Sequence, residues 1–475
     1  MYDFHTNTQD TIAAVASPIG KGAISIIRIS GNQCLPILSK IFRPSPGSAS
    51  FSAGSFGSPD EGKPLKPGIS VGNIIFKRKI IDQVVVWINR GKKSYTGEDL
   101  VEINCHGNPL LTNLILDIII SKGARLALPG EFTLRAFLNN KIDLLQAESI
   151  NDLVNASSYS LAELSVKNLM GKLSKKIEDL GRLLKDILIQ IEVAIDHSDD
   201  EFVPIKSKVI HDQINHISGE VAKLIDSYDI GKDIKEGISI AIVGKANAGK
   251  SSLFNLLIKR DKAIISHIAG TTRDTVEEYL ELNNFPIKLI DTAGIKKRAG
   301  YIEHEAIKRT LQAIAHSNIL LILFDNATEL SQHDLWLAEE LKKAEAHKFL
   351  VINKCDLPSK TDIIKIRALF KNIKMIRISV SRETGIKKIE EAISQYIEKF
   401  DMKDKLIINN IRHKNILIIV QEHLQNVLKS ILNNLYYDII GADLKKAIDE
   451  LGQLIGTYPS EKMLKEIFSN FCIGK

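Results

Sequence analysis

The chain has 475 residues, 44% of them hydrophobic and 25% charged, with a formal net charge of +6. This is the composition of an ordinary globular protein, long enough for about three domains that each bury a core. The mild basicity permits an RNA partner without requiring one. Cys34, Cys105, Cys355 and Cys472 stand far apart with no C-x-x-C, which argues against a disulfide framework or zinc site and for a reducing, cytoplasmic setting. The first ten residues have neither the basic nor the apolar region of a signal peptide, and no apolar run is long enough to span a bilayer, so no membrane association is expected.

In chain order, β-branched runs at 23–29, 72–76 and 84–88 predict strands, and a Pro/Gly/Ser-rich stretch from Arg43 to Gly68 predicts a loop. A helix over 110–121 makes this first region α+β. From 132 to about 229 the strand signal stops. Ile177, Leu180, Leu184, Ile187, Leu188 and Ile191 recur at helical spacing and predict long packed helices. Strands and helices alternate from 237 to about 400, with apolar runs at 238–243, 287–290, 319–324, 349–352 and 376–380. That alternation predicts a mostly parallel sheet covered on both faces. Beyond 400 the pattern is helical again, through 467. The expected organisation is an N-terminal α+β domain at 1–139, a helical domain formed by 140–234 and 400–475, and an α/β domain at 235–399 inserted into it. No internal repeat is seen.

The α/β region carries the chemistry. Gly244-Lys-Ala-Asn247-Ala248-Gly249-Lys250-Ser251 lies between an apolar strand and an amphipathic helix that begins at Ser252, the context of a phosphate-binding loop. Backbone N–H groups and the helix N-terminus can face phosphate, Lys250 can reach the β/γ phosphates, and Ser251 can hold Mg²⁺. Asp291-Thr292-Ala293-Gly294 ends the next apolar strand, where the carboxylate can hold Mg²⁺ through water and the glycine amide can sense the γ-phosphate. Between them lie Ser266, His267, Ile268, Ala269, Gly270, Thr271 and Thr272, with Thr272 or Thr271 as the second hydroxyl for Mg²⁺. Asn353-Lys354-Cys355-Asp356 ends a further strand. A carboxylate at Asp356 can accept from both guanine N1–H and its exocyclic amine, donors that adenine does not present, so the expected base is guanine. Ser379-Val380-Ser381 follows the last apolar run, where backbone amides would meet the base oxygen. Together these segments resemble a translation-factor-related GTPase domain. Where small signalling GTPases carry a water-orienting glutamine, this chain has Ile295, which cannot orient water. Asn247, Arg273, Glu303 and Glu305 are the residues from which another mechanism could be built.

The strings Ile27-Arg-Ile-Ser-Gly31, Tyr95-Thr-Gly-Glu-Asp99, Pro129-Gly-Glu-Phe132 and Ala136-Phe-Leu-Asn-Asn-Lys141, with the ending Phe471-Cys-Ile-Gly-Lys475, widen the reading. Gly474 and a terminal Lys475 suit a prenylation box poorly. With the inserted GTPase unit, they are similar to the MnmE (TrmE) family of tRNA modification GTPases, from about residue 11 to the last. The resemblance implies an N-terminal folate-binding and dimerisation domain. Arg28, Glu102, Lys141 and Lys475 would bind 5-formyltetrahydrofolate or a related tetrahydrofolate, with Cys472 nearby as a possible modification-site residue. It implies K⁺-stimulated GTP hydrolysis, with Asn247, Ser266, Ile268 and Thr271 around the ion, Thr272 and Ser251 on Mg²⁺, and Glu303 aligning water. It implies a homodimer that joins an FAD-dependent partner, MnmG (GidA), to place a (carboxymethyl)aminomethyl group on C5 of the wobble uridine of certain tRNAs. A ribosome-assembly GTPase switch would share the nucleotide motifs but not the N-terminal strings or the Cys-Ile-Gly-Lys ending. A non-enzymatic nucleotide-gated scaffold would not need Lys250, Thr272, Asp291 and Glu303 together. The acidic run at 196–201 reads as a solvated interhelical turn, because it lacks an ordered ligand loop.

Overall fold

The computed structural model describes residues 10–45, 66–196, 207–260, 276–291, 311, 313–398, 405–433, 437–457 and 459–475. The chain divides into two compact units, one of Met1–Asn151, Asn168–Arg182 and Ile448–Lys475, the other of Asp152–Lys167 and Leu183–Ala447.

The first unit is built on β1 (Ile12–Val15), β2 (Ile24–Ser30), β3 (Phe42–Pro44), β4 (Gly68–Phe76), β5 (Lys79–Asn89), β6 (Leu100–His106) and β7 (Arg125–Leu126). Their order is β3-β4-β5-β6-β2-β1-β7, antiparallel except for the β1–β7 pair. Helices α1 (Cys34–Ile41), α2 (Pro109–Ser121) and α3 (Glu131–Leu138) complete it. Alternation along β5 sends Val84, Val86 and Ile88 to one face, where they pack with Ile27, Ile29, Val101 and Ile103 beneath Ile37, Leu38, Ile115 and Ile119 of α1 and α2. The other face keeps Ile69, Val71, Val85 and Trp87 exposed. α2 starts where its sequence says it should: Asn108 accepts from the Leu110 N–H and Pro109 opens the helix. The predicted strands are all present. β1, β3, β6, β7 and α1 are additional, because strands of two to four residues, a strand of mixed polarity and a helix containing Pro36 give no clear periodic signal.

A charged cluster fixes the rim of this sheet. Arg135 is 1% exposed, and its guanidinium pairs with Asp10 at 2.7 Å, Glu131 at 3.0 Å and Glu98 at 3.1 Å. Arg125 also pairs with Asp10 and Glu131, both at 2.7 Å. Burial alone would raise the Asp10 carboxyl, but the bonds from Arg125 and Arg135 outweigh it and hold the group below the usual carboxylate range.

Helices α4 (Leu144–Val154), α5 (Tyr159–Leu169) and α6 (Lys172–Asp196) follow, and Ile177, Leu180, Leu184, Ile187 and Ile191 of α6 are buried as the helical spacing predicted. In the second unit, α7 (Ser207–Asp226) and α8 (Tyr228–Glu236) lead into the α/β part. There β8 (Ile238–Gly244), α9 (Lys250–Arg260), β9 (Val276–Leu282), β10 (Phe285–Asp291) and β11 (Ile319–Asp325) are followed by α10 (Gln332–Lys343), β12 (His347–Asn353), α11 (Ile363–Leu369), β13 (Met375–Arg377) and α12 (Ile386–Ile397). The strand order β13-β12-β11-β8-β10-β9 is parallel except for the edge hairpin β9–β10. Ile240, Ile242, Leu321 and Leu323 face Leu253, Leu257, Ile389 and Ile393 on one side. Ala241, Val243, Leu320 and Ile322 face Leu337, Leu341 and Ile366 on the other. Both faces are therefore covered, which is why these strands read as continuous apolar runs.

The last strand is shorter than the apolar run 376–380. Ile378 still donates to Ile352 O, but Ser379 exchanges both bonds with Thr384 and leaves the ladder. The second unit is completed by α13 (Ile411–Leu432) and the first part of α14 (Tyr437–Ile455). Leu417, Val420, Leu424 and Val427 of α13 are buried, and Gln421 Nε2 donates to Ser218 Oγ of α7 at 2.7 Å. α15 (Glu461–Phe468) returns to the first unit, where Leu464 and Phe468 pack with Leu134, Phe137 and Leu144. No helix among the described residues is long and apolar enough to cross a membrane.

Arg135→Met would leave Glu98 without its arginine and Asp10 and Glu131 with Arg125 alone, and is expected to cost about 3–5 kcal/mol. The chain has two tryptophans, Trp87 in the first unit and Trp336 in the second. Urea unfolding followed by Trp87 fluorescence in a Trp336→Phe background reads that loss; an unchanged midpoint would remove the cluster from this role.

Candidate nucleotide and ligand sites

Parallel register brings the nucleotide segments to one edge. Gly244 lies opposite Leu323, Asp325 opposite Asn353, and Asp291 opposite Ile242, so the ends of β8, β10, β11 and β12 open on the same side. β8 is flanked by β11 and β10, and the chain crosses from one side of it to the other after β10. Such a switch point leaves a crevice beyond the strand ends.

The loop from β8 to α9 closes on itself. Lys250 is 7% exposed, and its Nζ donates to Gly244 O at 2.8 Å and Lys245 O at 2.7 Å, which holds the ammonium over the loop. Asn247 is exposed and adopts the left-handed conformation, with φ 62°, while Ser251 and Ser252 are exposed on the first turn of α9. Gly249 has φ 100°, and a Cβ there would run into Asn353 Nδ2. That Nδ2 donates to Ala248 O at 2.9 Å, and Asn353 Oδ1 accepts from the Val380 N–H at 3.1 Å. One side-chain amide thus ties the phosphate loop to both base loops.

Asp356 stands ready as an acceptor. Ser379 Oγ donates to its Oδ1 at 2.6 Å, Ser381 Oγ to its Oδ2 at 3.3 Å, and Arg382 Nε lies 4.0 Å away. The Ser379 hydroxyl is the main reason that the carboxyl lies below its ordinary value, so it stays ionised and acceptor-only at neutral pH. Lys354, with φ 63°, pairs with Asp325 at 2.6 Å, a partner that the sequence did not reveal. Cys355 N donates to Ile378 O. Of the three amides at 379–381, that of Ser379 goes to Thr384 O and that of Val380 to Asn353 Oδ1. Asp291 is 3% exposed at the end of β10. Ser266, His267, Ile268, Ala269, Gly270, Thr271, Thr272, Arg273, Thr292, Ala293, Gly294, Ile295, Glu303 and Glu305 lie outside the described residues, as does most of the acidic run at 196–201.

The first unit holds a second arrangement. Arg28 on β2, Glu102 on β6 and Trp87 on β5 are direct cross-strand neighbours on the open face. Arg28 Nε and Nη2 both bond Glu102 Oε1, at 2.9 and 2.7 Å, while Nη1 donates to Gly474 O at 3.3 Å. The Arg28 guanidinium lies 5.1 Å from the Tyr95 ring centroid and 5.6 Å from that of Phe132. The C-terminal residues are held in place. Phe132 N donates to Lys475 O and Gly130 N to Cys472 O, and Gly474, with φ 92°, leaves no room for a Cβ against Val15 O. Cys472 is exposed. Lys141 reaches the 91–97 loop, donating to Lys92 O at 2.6 Å. The structure thus brings Arg28, Glu102 and the C-terminal backbone together. Tyr95 and Phe132 enter as walls that no spacing rule would have found.

The α/β part, with its strand, loop and helix context and its strand-end motifs, is a Ras-like P-loop GTPase fold. A family model described as GTP-binding protein TrmE N-terminus matches residues 11–141, and one described as MnmE helical domain matches 144–472. A tRNA modification GTPase MnmE of Alkaliphilus oremlandii (strain OhILAs) is 36% identical over 474 residues, covering 98% of this chain and 99% of that protein. The protein of the same name from Alkaliphilus metalliredigens (strain QYMF) is 37% identical, with the same coverage. Among solved structures, the G domain of the T. maritima FeoB iron transporter is 21% identical, with a TM-score of 0.26 over 34% of this chain and 98% of its own. The chain belongs to the MnmE family.

Asp356→Asn tests the base site. Its amide would face the guanine 2-amine with a donor, whereas xanthine presents a carbonyl there. GTP affinity is expected to fall by roughly two orders of magnitude and xanthosine triphosphate to bind better than GTP, as measured by calorimetric titration; retained GTP preference would remove Asp356 from base recognition.

Proposed function

We propose that this protein hydrolyses GTP and uses the cycle in modifying C5 of the wobble uridine of certain tRNAs. The observation that carries the GTPase half is the convergence of Lys250, Asp291, Asn353 and Asp356 on one strand-end edge. The tRNA half is supported by relatives of that name matching over their full length. The domains follow the boundaries 1–139, 140–234, 235–399 and 400–475, with the GTPase domain inserted between the two helical parts. GTP hydrolysis organises the complex rather than passing phosphoryl to substrate.

The donor set fits the implied groups. Ser251 at the start of α9 and the buried Asp291 carboxylate suit Mg²⁺, with Thr272 as the second hydroxyl. Asn247, exposed and left-handed on the loop, offers an amide oxygen to K⁺, with Ser266, Ile268 and Thr271 as its companions. These cations supply positive charge to the phosphates when bound. Glu303 orients the attacking water, the task that Ile295 cannot perform. On the open face of the first unit, Glu102 uses one oxygen on Arg28, and Oε2 remains to accept from the N–H groups of a pterin. Lys141 and Lys475 suit the acidic tail of 5-formyltetrahydrofolate or a related tetrahydrofolate, with Cys472 at the rim.

The exposed Ile69, Val71, Val85 and Trp87 on the same face support a homodimer through the first unit. An FAD-dependent partner, MnmG (GidA), would supply the redox chemistry, in a cytoplasmic complex with tRNA.

Nucleoside mass spectrometry of tRNA from cells with and without the protein tests the assignment. Loss of the C5-modified wobble uridine is expected, and its persistence in cells lacking the protein would reject the modification role. Glu303→Ala should leave guanine nucleotide binding intact and slow hydrolysis by at least about tenfold, near 1.4 kcal/mol of barrier. Hydrolysis should also be faster in K⁺ than in Na⁺, and equal rates would dismiss the potassium site around Asn247.

A further inference from the structure

The last turn of α8 meets the edge of the nucleotide-binding sheet where β8 and β11 begin, the end away from the phosphate loop. Asp233 on α8 is half-buried there, and both of its oxygens accept from Asn318 Nδ2 at 3.1 Å. Asn318 Oδ1 in turn accepts from Ser239 N at 2.8 Å and Ser239 Oγ at 2.7 Å, and Asn318 N donates to Ser239 O at 2.9 Å. A carboxylate on the helix is thus joined through one amide to the first residues of β8. Between Asp233 and Ser239 the chain passes Gly237, with φ 93°, whose N–H donates to Asp233 O. A cavity of about 700 Å³ lies alongside.

Among the described residues no cation forms an ion pair with this carboxylate. Lys232 lies 3.9 Å from Glu236, Lys235 pairs with Asp152 at 2.7 Å, and Lys288 of β10 pairs with Glu277 of β9 at 2.8 Å. We propose that Asp233 and Asn318 form a releasable latch that holds α8 against the start of the GTP-binding sheet, with Gly237 as its hinge. A charged group held by a neutral amide in a half-buried place regains hydration when it lets go, so the latch is poised rather than locked. The surroundings agree: burial chiefly, then the charges of Asp229 and Glu236, push the Asp233 carboxyl up to about 6 against the pull of Asn318 and Lys232. Tyr396 of α12 feels the same charge, its phenol being raised by burial first and by Asp233 second. His316, ahead of β11, also lines the cavity.

The sign follows from the raised value. The fold favours the protonated acid, so this stabilisation is fully present below the unfolded value of 3.8 and is lost as pH rises through about 6. The latch therefore holds more firmly at pH 5 than at pH 7.5.

Hydrogen–deuterium exchange on the intact chain tests the latch. Asp233→Ala and Asn318→Asp should each raise exchange at Gly237 and the last turn of α8 by about tenfold or more. The exchanged pair, Asp233→Asn with Asn318→Asp, keeps an amide facing a carboxylate and should return protection to within about threefold of the parent. GTP affinity should stay within about threefold throughout, because neither residue touches the nucleotide loops. Single variants with parental exchange, a double variant no better protected than the singles, or a larger change in GTP affinity would each overturn the proposal. Should a single variant fold poorly, thermal midpoints at pH 5 and 7.5 decide. The fall expected of the parent between those values should be smaller in Asp233→Asn, and identical pH dependence in the two proteins would sink the latch.

Discussion

The nucleotide site depends on one buried side-chain amide. Asn353, 2% exposed at the end of β12, spends its donor on Ala248 O and its acceptor on the Val380 N–H. An amide supplies both roles in a fixed geometry, whereas a carboxylate could only accept and an ammonium only donate. The phosphate loop, the base-reading loop and the loop after β13 are therefore positioned by a shared group. Gly249 follows from the same constraint, because a side chain there would occupy the place of Asn353 Nδ2. The parallel register makes this economical, since it delivers the ends of β8, β11 and β12 side by side before any loop is built.

An equivalent constraint operates in the first unit with charge in place of an amide. Arg135 gathers Asp10, Glu98 and Glu131, residues that belong to the segment before β1, the loop before β6 and the start of α3. Ser30 Oγ bonds Glu98 Oε2 at 2.8 Å and Thr96 Oγ1 at 2.7 Å, which fixes the 95–99 loop against β2. Tyr95 is thereby set over Arg28, and Phe132 beside it. Much of what looks chemical in the strings Tyr95–Asp99 and Pro129–Phe132 is scaffolding. Glu98, Asp99 and Glu131 hold backbone and arginines, while Arg28 and Glu102 present the face to which a ligand could bind.

The difference decides what a sequence can reveal. Strands such as β8 and β11 are legible because both faces are buried and every residue is apolar, and the phosphate loop is legible because glycine, lysine and serine occur there at fixed spacing. Asp356 was legible as a candidate acceptor because a carboxylate after an apolar strand stands out, and its ionised state fits that expectation. The pairing of Lys354 with Asp325, the cover of Arg28 by Tyr95 and Phe132, and the bond from Asn318 to Asp233 left no such mark. Each joins residues far apart in the chain, and each partner alone reads as ordinary surface polarity. The shortened β13 has the same cause. The run 376–380 is apolar enough for a full strand, yet Ser379 is drawn off the ladder to serve Asp356 and Thr384.

β8 connects the two ends of the α/β part. Ser239 near its start is bonded to Asn318, and Gly244 at its end accepts from Lys250, a span of about 16 Å along a strand that neighbours hold on both sides. Its interior is close-packed on both faces, so the strand is a rigid support for the loop at its end. β11 runs beside it from just after Asn318 to Asp325, which holds Lys354 of the base loop. β8 and β11 therefore keep the nucleotide loops in place whatever happens to the elements attached at their starts. What is attached there is α8, through a carboxylate bonded to a neutral amide and beside a glycine with a positive φ. The sheet is the close-packed part of the α/β fold, and the proposed latch lies at its margin, away from the nucleotide loops.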